Sequence, residues 1–133
     1  MAEQVTPDEL VISTGNQGGI KLVCDAYLGP GDVAIVESPL WTSTVTIVKA
    51  TGADVAAVGM DSEGIDLKEV EEQIHLAVGA GKSVRMIYLQ PLFHNPTGVT
   101  ISRARAEALL ALAAKHKILV VSMSLTHIPQ HRP

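Results

Sequence analysis

Apolar positions fall into two alternating patterns along the chain. Five runs are short, β-rich and almost unbroken: residues 10–14 (LVIST), 33–38 (VAIVES), 54–60 (DVAAVGM), 84–90 (VRMIYLQ) and 118–123 (ILVVSM). Such runs, bounded by turn residues, predict buried strands. The segments between them predict helices over 17–28, 41–50, 66–78 and 102–116. In the third, Leu67, Val70, Ile74 and Val78 recur on one helical face. Asp66 stands where an N-cap belongs, and Glu69 three positions later completes a capping-box pattern. Ser102 caps the fourth helix, and Leu-Gly-Pro-Gly-Asp at 28–32 is a strong stop. The order is β-α-β-α-β-α-β-α-β. Near-continuous apolar strands suit a parallel sheet covered on both faces, so the fold class is α/β, a three-layer, mostly parallel sheet flanked by helices. Residues 1–9 read as a polar lead-in, and 124–133 as a tail without pattern.

Composition narrows the function classes. The 133 residues amount to about one domain. Lys plus Arg number 10 against 14 Asp plus Glu, a net charge of -4 that leaves no electrostatic footprint for nucleic acid. A single cysteine, Cys24, excludes an internal disulfide and any multi-cysteine metal site. No apolar run approaches the roughly 18 residues of a membrane span. The first residues lack a signal peptide's basic and apolar regions, so a cytoplasmic location is expected.

Ligands of open α/β sheets gather at the carboxyl ends of the strands. Four loops lie there by this reading: Thr14 to Gly19, Ser38 to Trp41, Pro91 to Gly98, and the segment after Met123. Thr14-Gly15-Asn16-Gln17-Gly18-Gly19 joins a strand to a helix and reads either as a tight turn or as an anion site at a helix N-terminus. Trp41 follows the second strand and reads as core packing or as a platform for a planar ligand. Pro91 to Gly98 holds His94, the one histidine in this region, and Asn95, a directional hydrogen-bonding side chain in a proline-stiffened loop. Gly79-Ala80-Gly81-Lys82-Ser83 imitates a P-loop, but its first glycine is missing and it lies between a helix and a strand, the reverse of the required context.

These residues carry a resemblance. The glycine turn at 14–19, Gly29-Pro30-Gly31-Asp32 with Glu37-Ser38-Pro39, Gly64-Ile65-Asp66 and His94-Asn95-Pro96-Thr97-Gly98 occur in the order found in the large domain of class I/II aminotransferases. These are fold-type I enzymes of pyridoxal 5′-phosphate (PLP). The branch resembled holds 2-aminoadipate and aromatic aminotransferases and the aminotransferase-like half of MocR regulators. The resemblance covers residues 10 to about 121, a partial large domain over 10–123. It implies that Gly15, Asn16 and Gln17 hold the PLP phosphate, that Trp41 stacks on the pyridine and that Asn95 bonds the phenolic oxygen. It also implies amino-acid and 2-oxo-acid substrates and a homodimer for the intact enzyme. A non-catalytic, effector-sensing module of a MocR-type regulator is the alternative.

Departures from the family are equally specific. The carboxylate that pairs with the pyridinium nitrogen falls at Met123, and the family's tyrosine falls at Thr126. A thioether cannot replace a carboxylate there. None of Lys21, Lys49, Lys68, Lys82, Lys115 and Lys117 follows the motif of the lysine that binds the cofactor covalently. The expectation is a truncated or frame-disrupted segment that binds PLP weakly or not at all, is inactive alone and presents an association-prone open sheet edge.

Overall fold

The structure is a computed structural model that describes residues 5–40 and 42–124. A short 3-10 turn, Pro7–Glu9, opens it. There the Glu9 carboxylate accepts from Thr6 N–H and from the Thr6 hydroxyl, each at 2.8 Å, so the end of the polar lead-in is locally ordered by its own cap. Then follow α1 (Gly15–Tyr27), β1 (Asp32–Glu37), α2 (Thr42–Ala50), β2 (Asp54–Val58), β3 (Met60–Asp61), β4 (Gly64–Ile65), α3 (Leu67–Gly79), β5 (Ser83–Leu89), α4 (Arg103–His116) and β6 (Leu119–Ser122).

Four strands form one sheet in the order β2-β1-β5-β6, every pair parallel. β3 and β4 make a separate antiparallel hairpin. On one face, Val33 and Ile35 of β1 and Ile87 and Leu89 of β5 pack with Val70 and Ile74 of α3 and Leu109 of α4. On the other, Ala34, Val36, Met86 and Tyr88 meet Ile20 and Cys24 of α1 and Val48 of α2. Burial of each large apolar side chain contributes about 1.5–3 kcal/mol. The predicted three layers are therefore present. Pairing shifts between Val33↔Val84 and Ala34↔Met86, leaving Arg85 as the extra residue of a bulge. This bulge resets the alternation, which is why Val84 and Ile87 share a face while Arg85 is exposed.

Four expectations are corrected. Residues 10–14 form no strand: they carry no ladder pairing, and Leu10, Val11 and Ile12 are exposed, Ile12 completely. An apolar run becomes a strand only where a neighbouring strand satisfies its backbone, and none among the described residues lies beside it. The 54–60 run is divided at Gly59, whose N–H donates to the Glu69 carboxylate at 2.7 Å. That contact also changes the capping box. Asp66 does cap α3, accepting from Lys68 N–H at 2.8 Å, but Asp66 N–H donates to the Gly59 carbonyl at 2.9 Å rather than to Glu69. Finally, Val78 is 67% exposed and Ala77 takes the inward place on α3.

Candidate functional site

Sheet topology fixes where a site can form. From β1 the chain crosses outward through α2 to β2, then returns through α3 past β1 to β5. The crossovers thus diverge between β1 and β5, and their carboxyl ends open into a crevice. A cleft of about 440 Å³ occupies it. Gly15, Asn16 and Gln17 line it from the first turn of α1, Thr44 from α2, and Gln90 and Asn95 from the end of β5 and its loop. Four predicted site residues, Gly15, Asn16, Gln17 and Asn95, are therefore brought together. Trp41 and Thr126 lie outside the described residues.

The α1 turn needs its glycines. Gly15 has φ +72, and a Cβ on Gly18 would stand 2.6 Å from Thr14 Oγ1. The first-turn amides of a helix have no intrahelical acceptor, and their dipoles favour an anion. Across the cleft, the loop after β5 is held closed by its own backbone. Gly98 N–H donates to the His94 carbonyl at 2.6 Å, His94 N–H to Val99 at 2.8 Å, and Ile101 N–H to Pro91 at 2.9 Å. Asn95 N–H donates to Gln90 Oε1 at 2.9 Å. The exposed Asn95 side chain is thereby presented from a fixed backbone.

Between these walls lies Met123, just past β6. Its sulfur receives the Asn16 carboxamide, the Tyr88 hydroxyl at 3.5 Å and the Gln90 carboxamide at 4.0 Å. Three donors converge on a weak acceptor. Burial pushes the Tyr88 phenol above its usual range, partly opposed by hydrogen bonding with Thr44 and Asn16. Sequence reasoning did not single out Tyr88, Gln90 or Thr44. The signal was the polar end of the VRMIYLQ run, where Gln90 directly follows the strand.

Among the described residues no lysine lines the cleft. Lys21 pairs with Asp25 at 2.5 Å and Lys82 with Asp54, both on the surface. Among the described residues no group of three His, Cys, Asp or Glu is arranged to hold a metal, and no helix is long and apolar enough to cross a membrane.

The family model for aminotransferase class I and II matches residues 2–122. The chain belongs to this family. As a class I/II aminotransferase-family chain it spans only 24% to 27% of the length of curated relatives. It is 35% identical to an archaeal alanine:glyoxylate aminotransferase of known structure, with a TM-score of 0.83 over 89% of this chain and 29% of that one. It is 30% identical to LysN, the alpha-aminoadipate aminotransferase of Thermus thermophilus, solved with N-(5′-phosphopyridoxyl)-L-leucine (TM-score 0.76, 89% of this chain, 29% of that one). It is also 32% identical over 113 residues to the vitamin B6 salvage pathway transcriptional repressor PtsJ of Salmonella typhimurium, covering 85% of this chain and 25% of the repressor. A regulator among the relatives limits the acidic-charge argument against nucleic acid to this segment alone.

The family's cofactor fits the cleft in part. The glycine-bearing α1 N-terminus, where a Cβ at Gly18 would intrude on Thr14, suits an anionic group. Asn95 can donate to an oxygen. Met123 does not supply the carboxylate that a protonated ring nitrogen calls for.

Proposed function

We propose that this chain carries the PLP-binding part of an aminotransferase and that the parent protein transfers an amino group between an amino acid and a 2-oxo acid. The observation that carries this reading is the joining of the Gly15–Gln17 helix start and Asn95 in one cleft at the β1/β5 crevice. Gly15, Asn16 and Gln17 would hold the phosphate, Asn95 the ring oxygen, and Trp41 the ring face. When bound, PLP supplies the electron sink for chemistry at an amino acid's α-carbon. This chain's own residues bind and orient. With no lysine among the described residues of the cleft to attach the cofactor and Met123 in place of a carboxylate, the chain alone is expected to be inactive.

Titration of the purified chain with PLP, followed by backbone amide shifts, tests this. Saturable shifts at Gly15–Gln17 and Asn95 are expected, with affinity reduced about tenfold in Asn95→Ala, the equivalent of one lost hydrogen bond. Shifts confined to other surfaces, or equal affinity in the variant, would refute the assignment. The likeness to a vitamin B6 repressor favours a second reading, in which the same cleft senses a B6 compound within a MocR-type regulator. The parent gene decides between them: DNA-binding activity supports the regulator, and amino-group transfer the enzyme.

A further inference from the structure

Behind the cleft lies a titratable pair that cofactor holding does not use. Glu37 ends β1 and His94 sits in the loop after β5, and each is 1% exposed. His94 Nε2 lies 3.5 Å from Glu37 Oε2 and makes no hydrogen bond among the described residues. Nδ1 is 2.8 Å from the Thr97 hydroxyl, whose oxygen accepts from Val99 N–H at 3.3 Å. Glu37 Oε2 also accepts from Gln90 N–H at 2.8 Å, and Gln90 Oε1 accepts from Asn95 N–H at 2.9 Å. A continuous path therefore runs from the buried carboxylate to the backbone of Asn95.

We propose that Glu37 and His94 are a positioning pair that take up one proton between them, and that this proton sets how firmly Gln90 and Asn95 are held. In the deprotonated pair, Thr97 donates to Nδ1 and the Nε2–H of a neutral imidazole faces the carboxylate. The Gln90 N–H bond is then charge-assisted, roughly twice as strong as a neutral one. Uptake of one proton from solvent leaves the carboxyl group neutral. In this exchange the Nε2 proton passes to the carboxylate, whose O–H then donates back to Nε2, while the solvent proton arrives at Nδ1 and is donated to Thr97, and the Gln90 bond weakens. Proton count balances, and no other reactant is needed.

The surroundings favour uptake on the carboxyl side. Burial pushes the Glu37 carboxyl up to about 7, against the lowering effect of the Gln90 bond, while burial holds His94 below the usual histidine range. Tyr88 of β5 is the other titratable group that the Glu37 charge reaches. Val58 of β2 pairs beside Glu37, and Met60 of β3 lies 3.9 Å from the Thr97 hydroxyl; neither carries a charge. Among the described residues no cation acts on the Glu37 carboxyl. The value of the pair to a cofactor contact rests on the proposed function, but the pair itself does not.

The test is an NMR pH titration of the isotopically labelled 133-residue chain without cofactor, so its outcome is independent of PLP binding. His94 is expected to stay neutral, with its ring nitrogens exchanging tautomer at a midpoint near 7. The Gln90 and Asn95 amides should shift at that same midpoint. In Glu37→Gln, which keeps an acceptor oxygen but cannot titrate, the transition should vanish from Gln90 and Asn95. Formation of a His94 imidazolium at an ordinary histidine midpoint, or persistence of the Asn95 transition in E37Q, would overturn the proposal. If E37Q does not fold, the Glu37 carboxyl carbon of the unaltered chain decides. Co-titration with His94 supports the pair, and titration in the ordinary glutamate range refutes it.

Discussion

Asn95 and Gln90 are locked to each other through a single bond, Asn95 N–H to Gln90 Oε1 at 2.9 Å, although one lies in the cleft loop and the other ends the run of β5. Gln90→Leu keeps the bulk and removes the acceptor. A lost hydrogen bond of about 1 kcal/mol corresponds to roughly fivefold faster amide exchange at Asn95. Unchanged exchange would show that the loop's own backbone bonds suffice.

Arg105 ties α4 to the β3–β4 hairpin. It donates to the Ile65 carbonyl at 2.7 Å and to Asp61 at 3.0 Å, and reaches Glu63 at 3.4 Å. Arg105→Ala should cost about 1.5 kcal/mol in urea melts, the range for hydrogen bonds to a charged group. Lysine at 105 should recover less than half, since it lacks the planar fork. Hydrogen bonding to Arg105, then to the Glu63 backbone, holds the Asp61 carboxyl below its usual range. A depressed carboxylate stabilises above its unfolded pKa and loses that contribution as pH falls through the folded one. The difference between wild type and Arg105→Ala should therefore narrow in acid.

Gly64 and Gly79 make a matched pair. Gly64 has φ +115, and a Cβ there would stand 2.8 Å from Ile101 Cγ1 and 3.3 Å from the Ile101 backbone. Gly79, the last residue of α3, has open space around it. Gly64→Ala should destabilise by about 2 kcal/mol or more, and Gly79→Ala should be neutral or stabilising by about 0.5 kcal/mol. Thermal melts of the two alanine variants give the comparison directly, and equal effects would contradict the geometry.

Stability should depend on pH through Glu37 and His94 in opposite senses. Glu37 has a raised folded pKa of about 7, so its contribution is present below the unfolded value and is lost as pH rises through 7. His94 is lowered, so stability falls as pH drops below its unfolded value. Glu37→Gln removes only the first. Urea melts should show E37Q gaining on wild type between about pH 5 and about pH 8, and a constant difference across that range would refute this assignment of charge.

Much of this was legible because the signals were local. Asp66, Ser102 and the alternation of apolar runs with helical stripes act within a few residues, and the parallel sheet follows from them. What escaped depends on distant partners. The apolar run at 10–14 reads as a strand in any window, but a strand also needs a neighbour. Glu69 matches a capping box by spacing, yet Gly59, ten positions earlier, claims its carboxylate. In the site, the glycine turn and Asn95 stood out by motif. Glu37 stood out only as part of a family pattern, because its burial against His94 is set by the pairing of β1 with β5.

That pairing also governs when the chain can fold. Asp32 sits beside Ser83 and Val36 beside Tyr88, so the innermost strand waits for its partner until α2, β2, the hairpin and α3 have been synthesised. At roughly 5–20 residues per second the delay is several seconds. Through that interval β2 is the one strand available to pair with β1, and Val33 and Ile35 lack the cover of Ile87 and Leu89. Parallel pairings of long sequence separation are slow to form for the same entropic reason. The cleft at the β1/β5 crevice therefore comes into being late, as a product of the last strands rather than of the motif that begins it.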